Sequence, residues 1–583
     1  MAEAARGKSL FVILPNLNIW NVDNPGSGQT FLRSVSRQLH ASTRPLVALS
    51  SGKADLDVTL VDEVAPSDTV LVSMGESERV NLLRAHPGLR VVPVGELEPL
   101  WLQRFRIAPV LGVSAGPKVV MQVTVRDAAT GGGLPDVDVV GLTDRLGRVG
   151  ASNKTNNKGV AKLMFSASTA LLESVEAFVP SGYWPGYATR VAVSNGGVTL
   201  SCTPINLAVQ DVRGHFGFQG VDADGQGVKV AVVDTGASTH PDLHFVKGLN
   251  VVKGESANNF SDLLGHDTHV AGIIAGRGQL GKGVRGVAPG VDLHVYRVFG
   301  MGREKALSFN IAKGIRQAVD DGCDLINLSL GGEADVPDVL REIHRARAMG
   351  VVCIAAAGND YRNAVNYPAR YSPVLGISAF GRKGTWPAGA AQDLEVLKPL
   401  GKDKKNFMAS FSNVGSEVDL VGPGVGVVST YPGGYAVIDG TSMACPVTTG
   451  ALARLLGRNP KILGMDRDQE RSDAIVKLAL NATRLMGFGP KFEGAGLLLW
   501  HFSKMSRFVL LYQSTSDPSR QEERSVISAL KTAKVVDHMP GSILVEGLEA
   551  EVASVVQQCQ NWTFSPVRSM GAAPPHKRVK LAA

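Results

Sequence analysis

From about residue 204 to residue 503 the chain alternates near-continuous apolar runs with amphipathic stretches, and no other feature restricts its fold as much. "GVKVAVVDTG", "DLHVYRVF", "CDLINLSLGG", "GVVCIAAAGN" and "VLGISAF" read as strands. "ALSFNIAKGIRQAVDDG" and "PDVLREIHRARAMG" read as helices between them. Buried strands alternating with helices mean a parallel sheet covered on both faces, an α/β fold. In such sheets ligands bind outside the carboxyl ends of the strands, so side chains placed there are the first candidates for function.

A chain of 583 residues is too long for one compact domain, and the rest of it falls into smaller units. Within residues 1–106, "SDTVLVSM" alternates as a strand does, "GESERVNLLRAHPG" is a short amphipathic helix and "LRVVPV" is a second strand, which predicts a small α+β domain. Residues 117–203 carry strand-like runs such as "KVVMQVTVRD" and "GVAKLMF" between Gly/Asn/Asp/Pro turns, the pattern of a β-sandwich. The sandwich shows no catalytic residue and is expected to be a spacer or a binding module. The block 204–503 holds the parallel sheet. Residues 507–567 read strand, helix, two strands, helix, strand, which suggests a ferredoxin-like domain. The Pro/Ala-rich tail 568–583 is expected to be disordered; Lys577, Arg578 and Lys580 in it read as a nuclear address or a nucleic-acid patch, or more simply as solvated charge.

Composition excludes several classes of partner. A net charge of +7 over this length gives no reason to invoke a nucleic acid. The five cysteines are sparse, odd in number and not in CxxC pairs, which implies neither a disulfide framework nor a zinc site. No run reaches the ~18 apolar residues of a membrane span. Near the N-terminus the apolar "LFVILP" is shorter than a signal core of roughly 7–15 residues. A cytoplasmic protein is therefore expected, with export lacking a standard signal as the alternative.

Four separated segments place chemistry-bearing side chains at strand ends or helix starts. "VAVVDTGASTHPDL" puts Asp234 at the end of a strand, and "GHDTHVAGIIAG" opens a helix near His266 and His269. "GVVCIAAAGND" puts Asn359 just past a strand, and "GTSMACPVTTGALARLL" puts Ser442 at the start of an apolar helix. Acyl transfer at neutral pH needs a nucleophile, a base to take its proton, a carboxylate to orient that base, and N–H donors for the oxyanion. Ser442, a histidine, Asp234 and Asn359 fill those roles. Two histidines three apart with no third ligand make a poor zinc site, so no metal is assigned to them.

Taken in order, "VAVVDTG", "HPDL", "THVAG", "GVAPGVDL", "INLSLGG", "AAAGN" and "GTSMACP" resemble the motifs of the subtilisin-like serine proteases, the subtilase family, across residues 228–502. The resemblance implies Asp234 as the orienting aspartate, His266 as the base with His269 in a packing role, and Ser442 as the nucleophile. It implies Asn359 as the oxyanion donor, with the Ser442 N–H as its partner. Ser329, Leu330, Gly331 and Gly332 would form the edge along which an extended polypeptide substrate pairs. Asn366 would lie near the base, and Asp360 near the rim, of the pocket for the residue before the scissile bond, which points to a broad or mildly basic preference. The order of elements within 1–106 resembles the second half of a subtilisin-type propeptide, a domain type that shares the topology expected of 507–567.

The protein so implied is a serine endopeptidase acting through an acyl-enzyme and made as a self-inhibited zymogen. Its own N-terminal domain would be the intramolecular inhibitor, and the chain would cut itself near 104–117 or near 203–215. The alternative is a catalytically locked or inactive subtilase-fold binding or scaffold protein.

Three departures from the family pattern carry expectations of their own. Asp267 stands where most members have glycine; a negative charge there would favour the imidazolium of His266 and shift the working optimum to alkaline pH. Calcium is a frequent ligand of the loop after "IIAG", and Asp242 offers one oxygen, but "RGQLGKGVRGVAPG" adds no acidic or Asn side chain, so no cofactor is assigned. The stretch between Phe380 and Ser410 looks longer than the usual connection and reads as a surface loop, or else as a flap over the cleft.

Overall fold

The computed structural model describes residues 8–15, 57–64, 69–85, 89–102, 107, 117–193, 197–208, 221–279, 281–499, 506–514, 517–530, 533–547, 549–559 and 561–567. The basic tail 568–583, and most of the stretches 104–117 and 203–215 expected to hold the processing bond, lie outside the described residues. The chain forms two compact units, residues 1–500 and 501–583.

The first unit opens with a four-stranded antiparallel sheet of β1 (Ser9–Pro15), β2 (Thr59–Val64), β3 (Thr69–Met74) and β4 (Leu89–Pro93), in the order β2-β3-β1-β4, with α1 (Glu76–Ala85) joining the last two. Side chains alternate across a strand, so each face collects its own apolar set. Phe11, Ile13, Val70, Val72 and Met74 meet Leu82 of α1 on one face. Val12, Leu14, Val64 and Leu71 line the other, and there they close around Phe309 from the α/β block, whose side chain has no exposed area. After β4 the chain leaves this sheet as β5 (Glu96–Pro99).

Residues 118–202 form two facing sheets. Strands β6 (Lys118–Asp127), β9 (Val160–Ser166) and β12 (Val198–Cys202) make one. Strands β7 (Asp138–Asp144), β8 (Val149–Lys154), β10 (Leu171–Phe178) and β11 (Gly186–Ala192) make the other. Val123, Val125, Leu163, Val139, Leu172 and Val175 fill the space between them.

The α/β block is built on an eleven-stranded sheet. Its central parallel strands are β13 (Lys229–Asp234), β15 (Asp292–Arg297), β17 (Leu325–Leu328), β19 (Val352–Ala356), β20 (Val374–Arg382) and β23 (Leu420–Pro423), with β14 (Lys247–Asn250) at one edge. Two short pieces, β16 (Ala306–Leu307) and β18 (Leu330–Gly331), stand outside it. Helices α2 (His266–Ala275) and α5 (Thr441–Gly457) pack on one face, and α3 (Ser308–Asp320) and α4 (Pro337–Ala348) on the other. This is the doubly covered parallel sheet that the apolar runs require.

The long stretch after Phe380 is neither a plain loop nor a flap. It returns as β21 (Val396–Leu400) and β22 (Asn406–Ala409), a hairpin that adds antiparallel to β20. The turn that leads into it, Ala391–Glu395, is the platform on which the sandwich docks. Trp184 of the sandwich is fully buried beside Val284, Ala390 and Val428. Ala391 N–H donates to the Pro185 carbonyl at 2.8 Å, and Gly186 bridges to Ala390. Arg145 reaches across to Glu395 at 2.5 Å while also holding Glu176 at 3.3 Å, both carboxylates being fully buried.

The second unit is described by itself. It runs β24 (Ser506–Tyr512), α6 (Arg520–Ala529), β25 (Lys534–Met539), β26 (Ser542–Gly547), α7 (Glu549–Gln558) and β27 (Trp562–Pro566), with sheet order β25-β26-β24-β27. Helix α6 begins with a reciprocal capping box between Ser519 and Glu522. The opening sheet of the first unit and the sheet of the second thus both run 2-3-1-4 in their own chain order.

Candidate active site

Asp234 is the last residue of β13 and His266 the first of α2. His266 Nδ1 donates to Asp234 Oδ1 at 2.8 Å, and neither side chain has exposed area. The helix start that presents His266 is organised by Asp262. One of its carboxylate oxygens accepts from Leu264 N, Gly265 N and the Thr235 hydroxyl, and the other from Thr268 N and its hydroxyl. Gly265 N and Thr268 N are among the amides a helix N-terminus leaves unpaired. Gly265 sits at φ 83°, and a Cβ there would come within 2.2 Å of the Tyr431 ring, so this turn admits only glycine.

His269, one turn later, is buried, and its Nε2 lies 3.1 Å from the Val427 carbonyl and 3.2 Å from that of Ala436. Burial pushes its pKa down to about 3, so it stays neutral. Asp267 does not point outward. Its side chain has no exposed area, and its N–H donates to the Thr235 hydroxyl. Burial, then the nearby Asp234 and Asp262 carboxylates, hold its own carboxyl well above the ordinary carboxylate range. Burial and its carboxylate neighbours thus both disfavour a charge on Asp267, the charge from which an alkaline shift was expected.

Ser442 is the second residue of α5. Its hydroxyl donates to the Ser329 carbonyl at 2.7 Å, and among the described residues His266 Nε2 has no hydrogen-bond partner. The serine and the histidine therefore share no hydrogen bond in this resting arrangement. Asn359 follows the end of β19, and its Oδ1 accepts from both the N–H and the hydroxyl of Thr441 at 2.9 Å. That pair fixes the amide so that Nδ2 points at one spot. The spot is filled by the Leu100 carbonyl oxygen, which takes Asn359 Nδ2 at 2.5 Å and the Ser442 N–H at 3.0 Å.

Leu100 arrives there on β5, which lies between two strands of the α/β block. Pro99 and Glu98 pair antiparallel with Leu330 and Gly331, and Leu97 and Glu96 pair with Ala306 and Leu307. Leu100 N–H donates to Ser329 O at 3.1 Å. A Cβ on Gly331 would come within 2.7 Å of Leu100 Cδ1 and 3.4 Å of Asn366 Cβ, so the leucine side chain lies over Gly331 beside Asn366. Gly332 closes this edge by exchanging backbone hydrogen bonds with Tyr367. Asp360 Oδ2 accepts from Asn366 Nδ2 at 3.0 Å and from Asn413 Nδ2 at 2.8 Å, so this oxygen is held by two amides at the pocket. Gly440 leaves room for the next residue: a Cβ there would meet Leu100 O at 2.6 Å and Trp101 Cα at 2.9 Å. The Trp101 ring stands edge-on to His266, centroids 5.4 Å apart.

Sequence reading singled out the strand ends and missed the residues that support them. Ala306 and Leu307, the second edge of the cleft, form a two-residue strand with no periodicity to detect. Thr441 and Asn413 act only through Asn359 and Asp360. Asp262 did carry a signal, an acid shortly before a helix start.

Asp242 is engaged within the protein. Its Oδ2 accepts from Val284 N at 2.8 Å and from the Tyr435 hydroxyl at 2.9 Å, with Gly278 and Gly283 closely packed against the carboxylate. Among the described residues no group of three or more His, Cys, Asp or Glu side chains is placed to hold a metal ion, and no helix is long and apolar enough to cross a membrane.

The model of the subtilase family matches residues 225–491. Subtilisin BL of Lederbergia lenta is 38% identical over 267 residues, which cover 46% of this chain and 88% of the relative. Subtilisin Savinase of the same organism matches with the same identity and coverage. An alkaline protease of Alkalihalobacillus alcalophilus is 38% identical over 267 residues, 46% of this chain and 63% of the relative. The expected cytoplasmic placement is corrected by these relatives, which are extracellular subtilisins. A buried Asp–His pair at the carboxyl end of a parallel sheet, with a serine at the adjoining helix start, is what these relatives lead one to expect, and the chain belongs to the subtilase family as a subtilisin-like serine endopeptidase.

Proposed function

We propose that the endopeptidase is made as a self-inhibited precursor and that the first peptide bond it cuts is its own Leu100–Trp101. The observation that carries this reading is the Leu100 carbonyl oxygen, which receives both Asn359 Nδ2 and the Ser442 N–H. Two convergent donors on one carbonyl, with a buried Asp–His pair beside it, are the arrangement that stabilises an oxyanion.

In this account Ser442 turns its hydroxyl from the Ser329 carbonyl to His266 Nε2. As the oxygen attacks the Leu100 carbonyl carbon, His266 takes the proton. Asp234 holds the ring by Nδ1 and stabilises the imidazolium. The negative charge that develops on the Leu100 oxygen is held by Asn359 and the Ser442 amide. Collapse breaks the bond to Trp101, whose nitrogen takes the proton from His266. Water then releases Leu100 from the serine by the same steps. His269, neutral and bound to two carbonyls, supports the helix and takes no part.

The N-terminal sheet acts as the inhibitor. It is fastened to α3 by Phe309, by the Ser308–Gly95 backbone hydrogen bond at 2.8 Å, and by Lys313–Asp62 at 2.7 Å. After the cut its carboxyl end still lies between the two edge strands and blocks the cleft until it leaves. Its 2-3-1-4 order supports reading it, and the C-terminal unit, as ferredoxin-like domains. Substrates would bind as β5 does, with an apolar residue in the pocket that Leu100 fills. No calcium is assigned at Asp242: its carboxylate is taken up by an amide and a hydroxyl, and the residues present do not fit a cation there. A permanently locked binding protein is disfavoured by the intact constellation.

The test is labelling with a fluorophosphonate probe. The wild-type enzyme is expected to label at Ser442, and Ser442→Ala to remain unlabelled and full length. A wild-type chain that is folded, fully cleaved and yet unlabelled would overturn the assignment.

A further inference from the structure

The α/β block supplies only part of the wall on the leaving-group side of the Leu100–Trp101 bond. Beyond that bond Trp101 and Leu102 enter a cleft of about 310 Å³. One wall is Leu264, Tyr431 and Ile438 of the α/β block, and the other is Phe178, Val179 and Tyr183 of the β-sandwich. Leu102 N–H donates to the Asp439 carbonyl at 2.7 Å, so the main chain is held on this side of the bond as β5 is held on the other.

The sandwich wall is fixed in place. Gly182 N–H donates to the Tyr435 carbonyl at 2.7 Å, and Trp184, two residues on, is the fully buried anchor of the docking. The Tyr183 hydroxyl is tied to Asp127 Oδ2 at 3.0 Å. Phe178 and Val179 remain partly exposed at the cleft, although a β-sandwich of this size could bury them. Connectivity points the same way. A cut after Leu100 leaves residues 117–203 joined to the catalytic part, so this wall survives removal of the inhibitor.

We propose that Phe178, Val179 and Tyr183 form a binding site for the polypeptide that follows the scissile bond, selecting an apolar residue at the second position after it, and that the sandwich is therefore a specificity element of the working enzyme. The proposal rests on reading Leu100–Trp101 as the bond in the reacting position. The chain itself supplies the first occupant of the site: Leu102 is the second residue after that bond. A pocket that gains or loses contact with one apolar group changes selectivity by about tenfold or more.

The experiment uses the self-processed enzyme and three substrates with the same residues up to a leucine. Two are quenched peptides with Leu or Asp at the second position after the bond, and the third is a p-nitroanilide with nothing after it. The wild-type enzyme is expected to prefer the Leu peptide to the Asp peptide by about tenfold or more in kcat/KM. Phe178→Ala, or Val179→Asp if that variant does not accumulate, is expected to reduce this preference about tenfold, and to lower the Leu-peptide rate relative to the anilide rate of the same variant. Preferences unchanged in a folded variant overturn the proposal, as does a mature enzyme whose mass excludes the sandwich. The N-terminus of the mature enzyme separates the two readings. A terminus other than Trp101 with a preference that still depends on Phe178 sinks the processing bond and keeps the wall. Trp101 as terminus with an indifferent Phe178 sinks the wall alone.

Discussion

Asn359 Nδ2 lies 2.5 Å from the carbonyl oxygen of Leu100, a residue 259 positions earlier in the chain, and the Ser442 N–H meets the same oxygen from the adjoining helix start. One peptide group of the protein is thus held as a substrate's would be. If this contact stabilises the charge that forms on the oxygen, its loss acts on the transition state more than on the ground state. Asn359→Ala is expected to lower kcat on peptide substrates by about 10²–10³-fold with little change in KM, a magnitude borrowed from the same kind of donor in subtilisin, a relative of this chain. Steady-state kinetics check it. A rise in KM with kcat intact would assign Asn359 to ground-state binding instead.

The buried Asp267 makes stability depend on pH with a definite sign. Its carboxyl is raised well above 3.8 in the folded protein, chiefly by burial and then by Asp234 and Asp262, and ionises near its ordinary value once unfolded. Between those two values the folded chain holds the extra proton, so stability falls as pH rises through that window. The favourable contribution is complete only below about pH 4. Asp267→Asn removes this slope. In a Ser442→Ala background, which prevents self-digestion, the variant's urea midpoint is expected to fall less steeply from about pH 4 upward and to lie above the parent's at neutral pH. Parallel curves would show that Asp267 ionises normally in the fold.

Phe309 has a different role before and after the inhibitor leaves. In the precursor it fills the face lined by Val12, Leu14, Val64 and Leu71. Large-to-small changes at such sites cost about 3–5 kcal/mol. Phe309→Ala is expected to leave the cut itself in place but to shorten the lag between cutting and activity on an added peptide. An unchanged lag would mean that the cleft-bound strand alone retains the inhibitor.

Trp184 is the corresponding test of the sandwich. Trp184→Ala empties a fully buried site at the docking platform and is expected to cost about 3–5 kcal/mol. Calorimetry of the Ser442→Ala chain is expected to show the sandwich transition separating from that of the catalytic part. A single transition at an unchanged temperature would show that the docking contributes little.

The α/β architecture was legible because buried parallel strands leave unbroken apolar runs, as in "VAVVD" and "VCIAA". The positions of Asp234, His266, Asn359 and Ser442 were legible because each follows such a run or opens a helix. What was hidden depends on contacts between distant segments. Nothing local in "ELEPL" marks it as the strand that fills the cleft; its partners are Ala306–Leu307 and Leu330–Gly331, more than 200 residues away. The stretch from Phe380 to Ser410 read as a surface loop from its length, yet Glu395 within it is fully buried between Arg145 and Ser410. The polarity of Asp360 suggested a basic preference, since its two amide partners, Asn366 and Asn413, come together only in the fold.

The most direct measurement is the N-terminal sequence and mass of the protein after purification, for wild type and Ser442→Ala side by side. The wild-type enzyme is expected to begin at Trp101 and keep the sandwich, and the Ser442→Ala chain to remain uncut at that bond. A wild-type terminus elsewhere, or a Ser442→Ala chain cut at the same place by itself, would contradict self-cleavage at Leu100–Trp101.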